Sequence, residues 1–248
     1  MNGPIATLLE MAALNNGFDC ELPPLAGWLG YGSSHAPLKV WLRGEPDGTL
    51  TAALSMPNVA QALGGPLREI PLPPEARAAL AVAGFPALHD LLRRAFQLAR
   101  TLPDELWQVY QKKTRTLPRT TEAERLVVQR VGQDIFRAGL LEYWEGKCCV
   151  TGLAVPELLR ASHIKPWADC ASDSERLDVF NGLLLAPNLD AAFDRGFITF
   201  ADNGGMVVSN RLAPSDRELL GLNQEQRIGM LTEKHCPYLV WHRQQVFR

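Results

Sequence analysis

No apolar run in these 248 residues approaches the roughly 18–20 that a bilayer-crossing helix requires, so no membrane span is expected. A basic segment followed by an apolar one is also missing from the N-terminus, so the sequence carries no secretion signal and the cytoplasm is the expected compartment. Cysteine is scarce. Cys148 and Cys149 are adjacent while Cys20, Cys170 and Cys236 stand alone, so no pair of CxxC half-sites exists to hold a structural zinc and reduced thiols are expected. Excess positive charge is absent too. A net charge of −2 argues against a protein that coats nucleic acid indiscriminately. Repeats and low-complexity tracts are missing, which leaves folded modules in a chain long enough to bury a core.

The charge that is present is unevenly placed. Residues 1–60 set Lys39 and Arg43 against Glu10, Asp19, Glu21, Glu45 and Asp47. Residues 111–130 set Lys112, Lys113, Arg115, Arg119, Arg125 and Arg130 against Glu122 and Glu124 alone. Such a basic stretch can supply phosphate contacts, or it can be a solvated helix face with a linker.

Along the chain, 4–14 reads as a helix with Pro4 in its first turn and Asn15-Asn16-Gly17 as its stop. Alternation over Leu38–Arg43, the turn Pro46-Asp47-Gly48 and a return over Thr49–Ser55 predict a hairpin. A short helix is expected near Asn58–Leu63. Pro66, Pro71, Pro73 and Pro74 then keep the chain extended. Pro86 opens a helix through Arg100 with Leu88, Leu91, Leu92, Ala95 and Leu98 as its apolar stripe. Another helix follows Pro103 and fades near Gln111. The stretch 114–120, polar and broken by Pro118, is the expected linker between modules 1–113 and 121–248. Thr121-x-x-Glu124 is a capping-box pattern that starts the next helix. Asp202-Asn203-Gly204-Gly205 between apolar runs predicts a second hairpin. Residues 238–247 predict a closing amphipathic helix, with His242 a structural residue.

Between 146 and 200 three polar residues sit at intervals that packing alone does not require. They are His163 in Ala-Ser-His-Ile-Lys-Pro-Trp, Asn181 opening Asn-Gly-Leu-Leu-Leu, and Asp190 in Asn-Leu-Asp-Ala-Ala-Phe-Asp. With the Cys148-x-Val-Thr-Gly opening and the Phe193-Asp194-x-Gly196 exit, this stretch, about a quarter of the chain, resembles the HNH (ββα-metal) nucleases. The third signature position is Asp here rather than His. The resemblance implies an α+β chain, with a mixed α/β recognition module ahead of a ββα-metal domain and its flanking helices. It implies a metal-dependent endonuclease acting on double-stranded DNA. His163 matches the general base that activates water, and Asn181 the residue that pins the loop and orients the imidazole by hydrogen bonding. Asp190 matches the metal-binding position, where a carboxylate suits Mg²⁺ or Mn²⁺. Many members place a ligand directly before the base, where this chain has Ser162. Asp194, one helical turn after Asp190, is the candidate to complete the site. Lys165, Arg160 and Arg195 are candidate phosphate contacts. Symmetric cutting of a duplex usually needs two active sites, which is compatible with a homodimer.

A one-metal nuclease core discriminates little between sequences, so targeting is expected from 1–113. There Trp28-Leu-Gly-Tyr31-Gly-Ser-Ser-His35-Ala36-Pro37 reads as a loop on the lip of a strand. It is similar to the sulfur-binding domains of restriction endonucleases that act on phosphorothioated DNA. By that resemblance Tyr31, Ala36 and Pro37 line an apolar pocket, while His35 with Arg43 or Arg68 holds the backbone. Three readings stay open: a restriction enzyme that responds to modified DNA, a DNA-binding protein whose HNH fold is weak or inactive, and a nuclease toxin.

Overall fold

The computed structural model describes residues 3–248 apart from 24, 26, 119, 223 and 224, and apart from the side chain at 103. Arg119 of the basic stretch therefore lies outside the described residues. The fold is mixed α+β, and it divides into two compact units, Met1–Arg100 and Thr101–Arg248.

In the first unit, helix α1 (Pro4–Asn15) precedes an antiparallel meander of β1 (Cys20–Glu21), β2 (Leu29–Gly32), β3 (Val40–Gly44), β4 (Leu50–Leu54) and β5 (Ala78–Val82). The hairpin read from Leu38–Ser55 forms as β3 and β4, with Trp41 opposite Ala53 and Arg43 opposite Thr51. Two of the strands carry weak sequence signals. The segment containing Tyr31 is a strand rather than a loop: despite the weak strand preference of Gly30 and Gly32, Leu29, Gly30 and Tyr31 pair with Leu42, Trp41 and Val40 of β3. Ala78–Val82, nearly all alanine and valine, pairs with β4. On one sheet face Trp28, Trp41, Ala53, Ala76 and Ala79 form a core against which Leu22, Ile70 and Leu72 pack. Because side chains alternate along a strand, Val40 and Leu42 bury on the opposite face. Helix α1 packs on β2 and β3, and α2 (Pro57–Leu63) packs on β4 and β5. Helix α3 (Phe85–Thr101) buries Leu88, Leu92, Ala95 and Leu98, as its stripe requires.

The second unit begins with α4 (Pro103–Thr114), which packs on α5 (Glu122–Tyr143). That packing explains why the compact division falls between Arg100 and Thr101, ahead of the 114–120 stretch. At the start of α5, Thr121 accepts from Glu124 N at 3.2 Å while the Glu124 carboxylate accepts from Thr121 N at 2.9 Å. Two short strands follow, β6 (Arg160–His163) and β7 (Gly182–Leu185), separated by the small helix α6 (Asp173–Arg176). Helix α7 (Pro187–Asp194) completes a ββα unit. Strands β8 (Ile198–Phe200) and β9 (Met206–Val208) form the second expected hairpin. Helices α8 (Pro214–Leu219) and α9 (Cys236–Gln245) close the chain, and α9 packs on β8. No helix among the described residues is long and apolar enough to cross a membrane.

Candidate active site

Strand β6 ends on His163, which sits opposite Gly182 at the start of β7. The glycine there answers a packing demand. A Cβ on Gly182 would lie 2.5 Å from the Phe136 ring and 2.8 Å from Leu140. Its absence lets α5 press down on β7, and this brings Phe136 flat against the His163 imidazole, with centroids 3.7 Å apart and planes 13° from parallel. Trp167 meets the imidazole edge-on at 5.6 Å. The ring is fixed in place before any substrate arrives.

Its hydrogen bond fixes the tautomer as well. His163 Nε2 lies 2.8 Å from the Arg176 carbonyl, which can only accept, so the proton is on Nε2. Nδ1 is left as the proton acceptor of the ring. Burial lowers the His163 pKa to about 4, against the opposing pull of the Arg176 carbonyl. The imidazole is therefore neutral at pH 7, the state a general base requires.

Asn181 is fully buried and joins three segments. Its Oδ1 accepts from Lys165 N at 2.8 Å, and its Nδ2 donates to the carbonyls of Lys165 at 3.2 Å and Glu175 at 3.3 Å and to Cys170 Sγ at 3.4 Å. The expected loop-pinning role fits this pattern, but the hydrogen bond on the imidazole comes from Arg176 and not from Asn181. Asn181 acts one residue away, by holding Glu175 so that the next carbonyl faces His163. The guanidinium of Arg176 ties the same loop to the carbonyls of Trp167 at 3.0 Å and Cys170 at 2.9 Å and to Asp173 at 2.7 Å.

Helix α7 supplies two carboxylates one turn apart, Asp190 and Asp194. Ser162, the departure from the usual ligand before the base, is buried and donates to Asp194 Oδ1 at 3.1 Å. Burial raises the pKa of Asp190, the neighbouring Asp194 raises it further, and the Ser162 hydroxyl and Arg160 partly offset both. Asp194 is raised by burial, against Ser162 and Arg195. Two carboxylates that resist ionisation side by side form a place short of positive charge, and hard oxygen donors suit Mg²⁺ or Mn²⁺. Among the described residues no group of three His, Cys, Asp or Glu stands ready to hold a metal ion, so Asp190 and Asp194 give a partial donor set. His163, Ser162, Asp190 and Asp194 all line one cleft of about 590 Å³, together with Arg137 and Arg160.

Other expected site residues are placed differently. Lys165 is paired with Glu175 at 2.8 Å, with 17% and 21% of the two side chains exposed. His242, expected to be structural, also reaches the cleft wall. It stacks on Phe193 at 3.8 Å, and its ring nitrogens meet the Phe193 carbonyl at 3.1 Å and Thr199 Oγ1 at 2.9 Å. In the first unit Tyr31 is buried within β2, and Ala36 is buried while His35 and Pro37 are exposed. Arg43 and Arg68 do not point a free charge outward. Both converge on Glu45 Oε1, at 2.8 and 3.4 Å, and Arg43 covers the Trp28 ring at 4.5 Å. Sequence reasoning missed Phe136, Arg137 and the Arg176 carbonyl. The first two lie on a helix outside the motif, and a backbone carbonyl has no sequence signature.

The motif's opening turn is also explained. Buried Cys148 accepts through Sγ from Thr151 N at 3.4 Å and from Ala186 N at 3.3 Å, which clips the turn to the end of β7. No curated protein matches the chain. Residues 148–201 match the HNH_2 family of HNH endonucleases, a span that holds His163, Asn181, Asp190 and Asp194 on the ββα unit just described. The C-terminal half of this chain thus carries an HNH endonuclease domain, the kind of nuclease that hydrolyses phosphodiester bonds.

Proposed function

We propose that the protein is a metal-dependent endonuclease that cuts double-stranded DNA, with His163 Nδ1 as the base that takes the proton from the attacking water. One observation carries this reading: the Nε2–H of a neutral, stacked imidazole is spent on the Arg176 carbonyl, beside two carboxylates in one cleft. Asp190 and Asp194 would hold the divalent ion, with Ser162 orienting Asp194. When bound, the ion supplies charge to the phosphoryl oxygens and the leaving group. Arg160 is exposed at the cleft and makes no ion pair among the described residues, which suits it to a phosphate oxygen.

The first unit is the proposed source of targeting, with the exposed His35 and Pro37 between β2 and β3 as its point of contact. Restriction of a modified, phosphorothioated backbone is the finer form of this proposal. Buried Tyr31 and the Glu45-bound arginines give it less support than the exposed turn does.

Nicking of a supercoiled plasmid with Mg²⁺ or Mn²⁺, with and without EDTA, tests the nuclease reading. His163→Ala is expected to lower the rate by about 10²–10⁴ with the fold intact. Matched duplexes that differ only in backbone sulfur test the finer form, and equal binding and cutting of both would reject it.

A further inference from the structure

Beside the active cleft, α4 ends in a second one. It measures about 680 Å³ and is lined by Trp107, Gln108, Gln111, Lys112 and Arg115, with Asp173 at its edge. Lys112, Lys113 and Arg115 are exposed, and none of them forms an ion pair among the described residues. Asp173, the acid on the lining, is already neutralised by Arg176 at 2.7 Å. The trough is therefore left positive. Trp107 stiffens its wall by stacking on buried Tyr110, with centroids 5.6 Å apart and planes at 27°.

Its place in the fold ties it to the chemistry. Helix α4 packs on α6, whose last residue, Arg176, presents the carbonyl that holds His163. Trp167 of the active cleft and Tyr110 of α4 both crowd Gly132, where a Cβ would lie 2.5 Å from one and 3.3 Å from the other. Trp167 lines the active cleft and Tyr110 the second one, so the two clefts approach each other at Gly132.

We propose that the α4 cleft docks the DNA backbone flanking the scissile phosphate, with Lys112 and Arg115 each engaging a phosphate and Gln108 and Gln111 offering further donors. This rests on the nuclease reading and extends its site beyond the residues of the motif. Charge complementarity selects the occupant. Adjacent unpaired cations along an open trough match a polyanion whose charges repeat, and counterion release makes each such contact salt-sensitive. Lys112 and Lys113 also lie in the last turn of α4, where cations favour the helix dipole, so the test must separate the two roles.

The experiment uses the full chain carrying His163→Ala, so that duplex DNA stays uncut, and follows fluorescence anisotropy across roughly 50–200 mM salt. Adding Lys112→Gln with Arg115→Gln is expected to weaken binding at least about tenfold and to reduce the slope of log Kd against log salt by about 2, near 0.9 per phosphate contact. The charge-keeping pair Lys112→Arg with Arg115→Lys is expected to retain the slope. Unchanged Kd and slope in the glutamine variant overturn the proposal, and so does a lowered melting temperature with unchanged Kd, which would assign the charges to the helix end. Equal competition by polyglutamate and by duplex also overturns it, in favour of an acidic protein partner. Failure of the wild-type chain to nick bound duplex in Mg²⁺ or Mn²⁺ would instead reject the nuclease reading and leave the salt-slope result to decide the cleft.

Discussion

Two sites of this chain, one in each unit, treat charge in opposite ways. In the first, Glu45 gathers the Thr51 hydroxyl, Arg43 and Arg68, and its carboxyl sits below the usual range, held there foremost by Thr51. In the second, Asp190 and Asp194 neighbour one another on α7, and both are raised. A carboxylate whose partners are built in lowers the energy of the fold. A pair left short of partners costs stability and is retained where a cation from outside supplies what is missing. By this contrast the arginines of the sheet already have a partner in Glu45, and the aspartates of α7 are the pair proposed to take a cation.

Each side of the contrast can be broken. After the loss expected at His163, the largest effect belongs to Asp190→Asn. Calorimetry with Mn²⁺ should show affinity weakened by at least about tenfold, in the manner of altered metal sites. Unchanged affinity would move the ligand role to Asp194 alone. Asn181→Ala comes next. It leaves Lys165 N and the Glu175 carbonyl without their side-chain partner in a buried place, so thermal unfolding should show a loss of about 1–3 kcal/mol. Cleavage should fall as well, through the displaced Arg176 carbonyl. Glu45→Gln should cost about 2 kcal/mol in the first unit and leave metal affinity untouched. A change in metal affinity there would end the division of roles.

The smallest effect is a slope. Burial lowers the His242 pKa to about 4, so the unfolded chain binds its proton first as pH falls. The stability this neutral ring contributes is complete above about 6.5 and is lost as pH drops towards 4, by at most about 1.4 kcal/mol per pH unit. In His242→Phe, melting temperature against pH should be flatter over that window. An unaltered slope would place the acid sensitivity elsewhere.

The sequence made some of this legible because the determinants were local. The Thr121–Glu124 capping box, the Asn203-Gly204 turn and the β3–β4 hairpin all form as their residues dictate. The trio His163, Asn181 and Asp190 was legible through its resemblance, and the ββα geometry gathers it. What escaped depended on partners distant in sequence. Phe136 reaches His163 only because Gly182 admits α5, and Lys165 is spent on Glu175. Tyr31 reads as a loop residue because its glycine neighbours mask a strand that pairing with β3 creates. Arg43 and Arg68 looked free because Glu45 meets them only once the sheet has formed.

His163 is the proposed base, packed against Phe136 and Trp167 with its Nε2–H on the Arg176 carbonyl. Removing the ring as His163→Gly leaves a space against Phe136 and Trp167 that free imidazole is expected to enter. Single-turnover nicking by this variant, with and without added imidazole and with EDTA as control, is the most direct measurement. The expected result is EDTA-sensitive nicking by the wild-type chain, its loss in the variant, and partial recovery that rises with imidazole concentration. Nicking by the unsupplemented variant at the wild-type rate would contradict it.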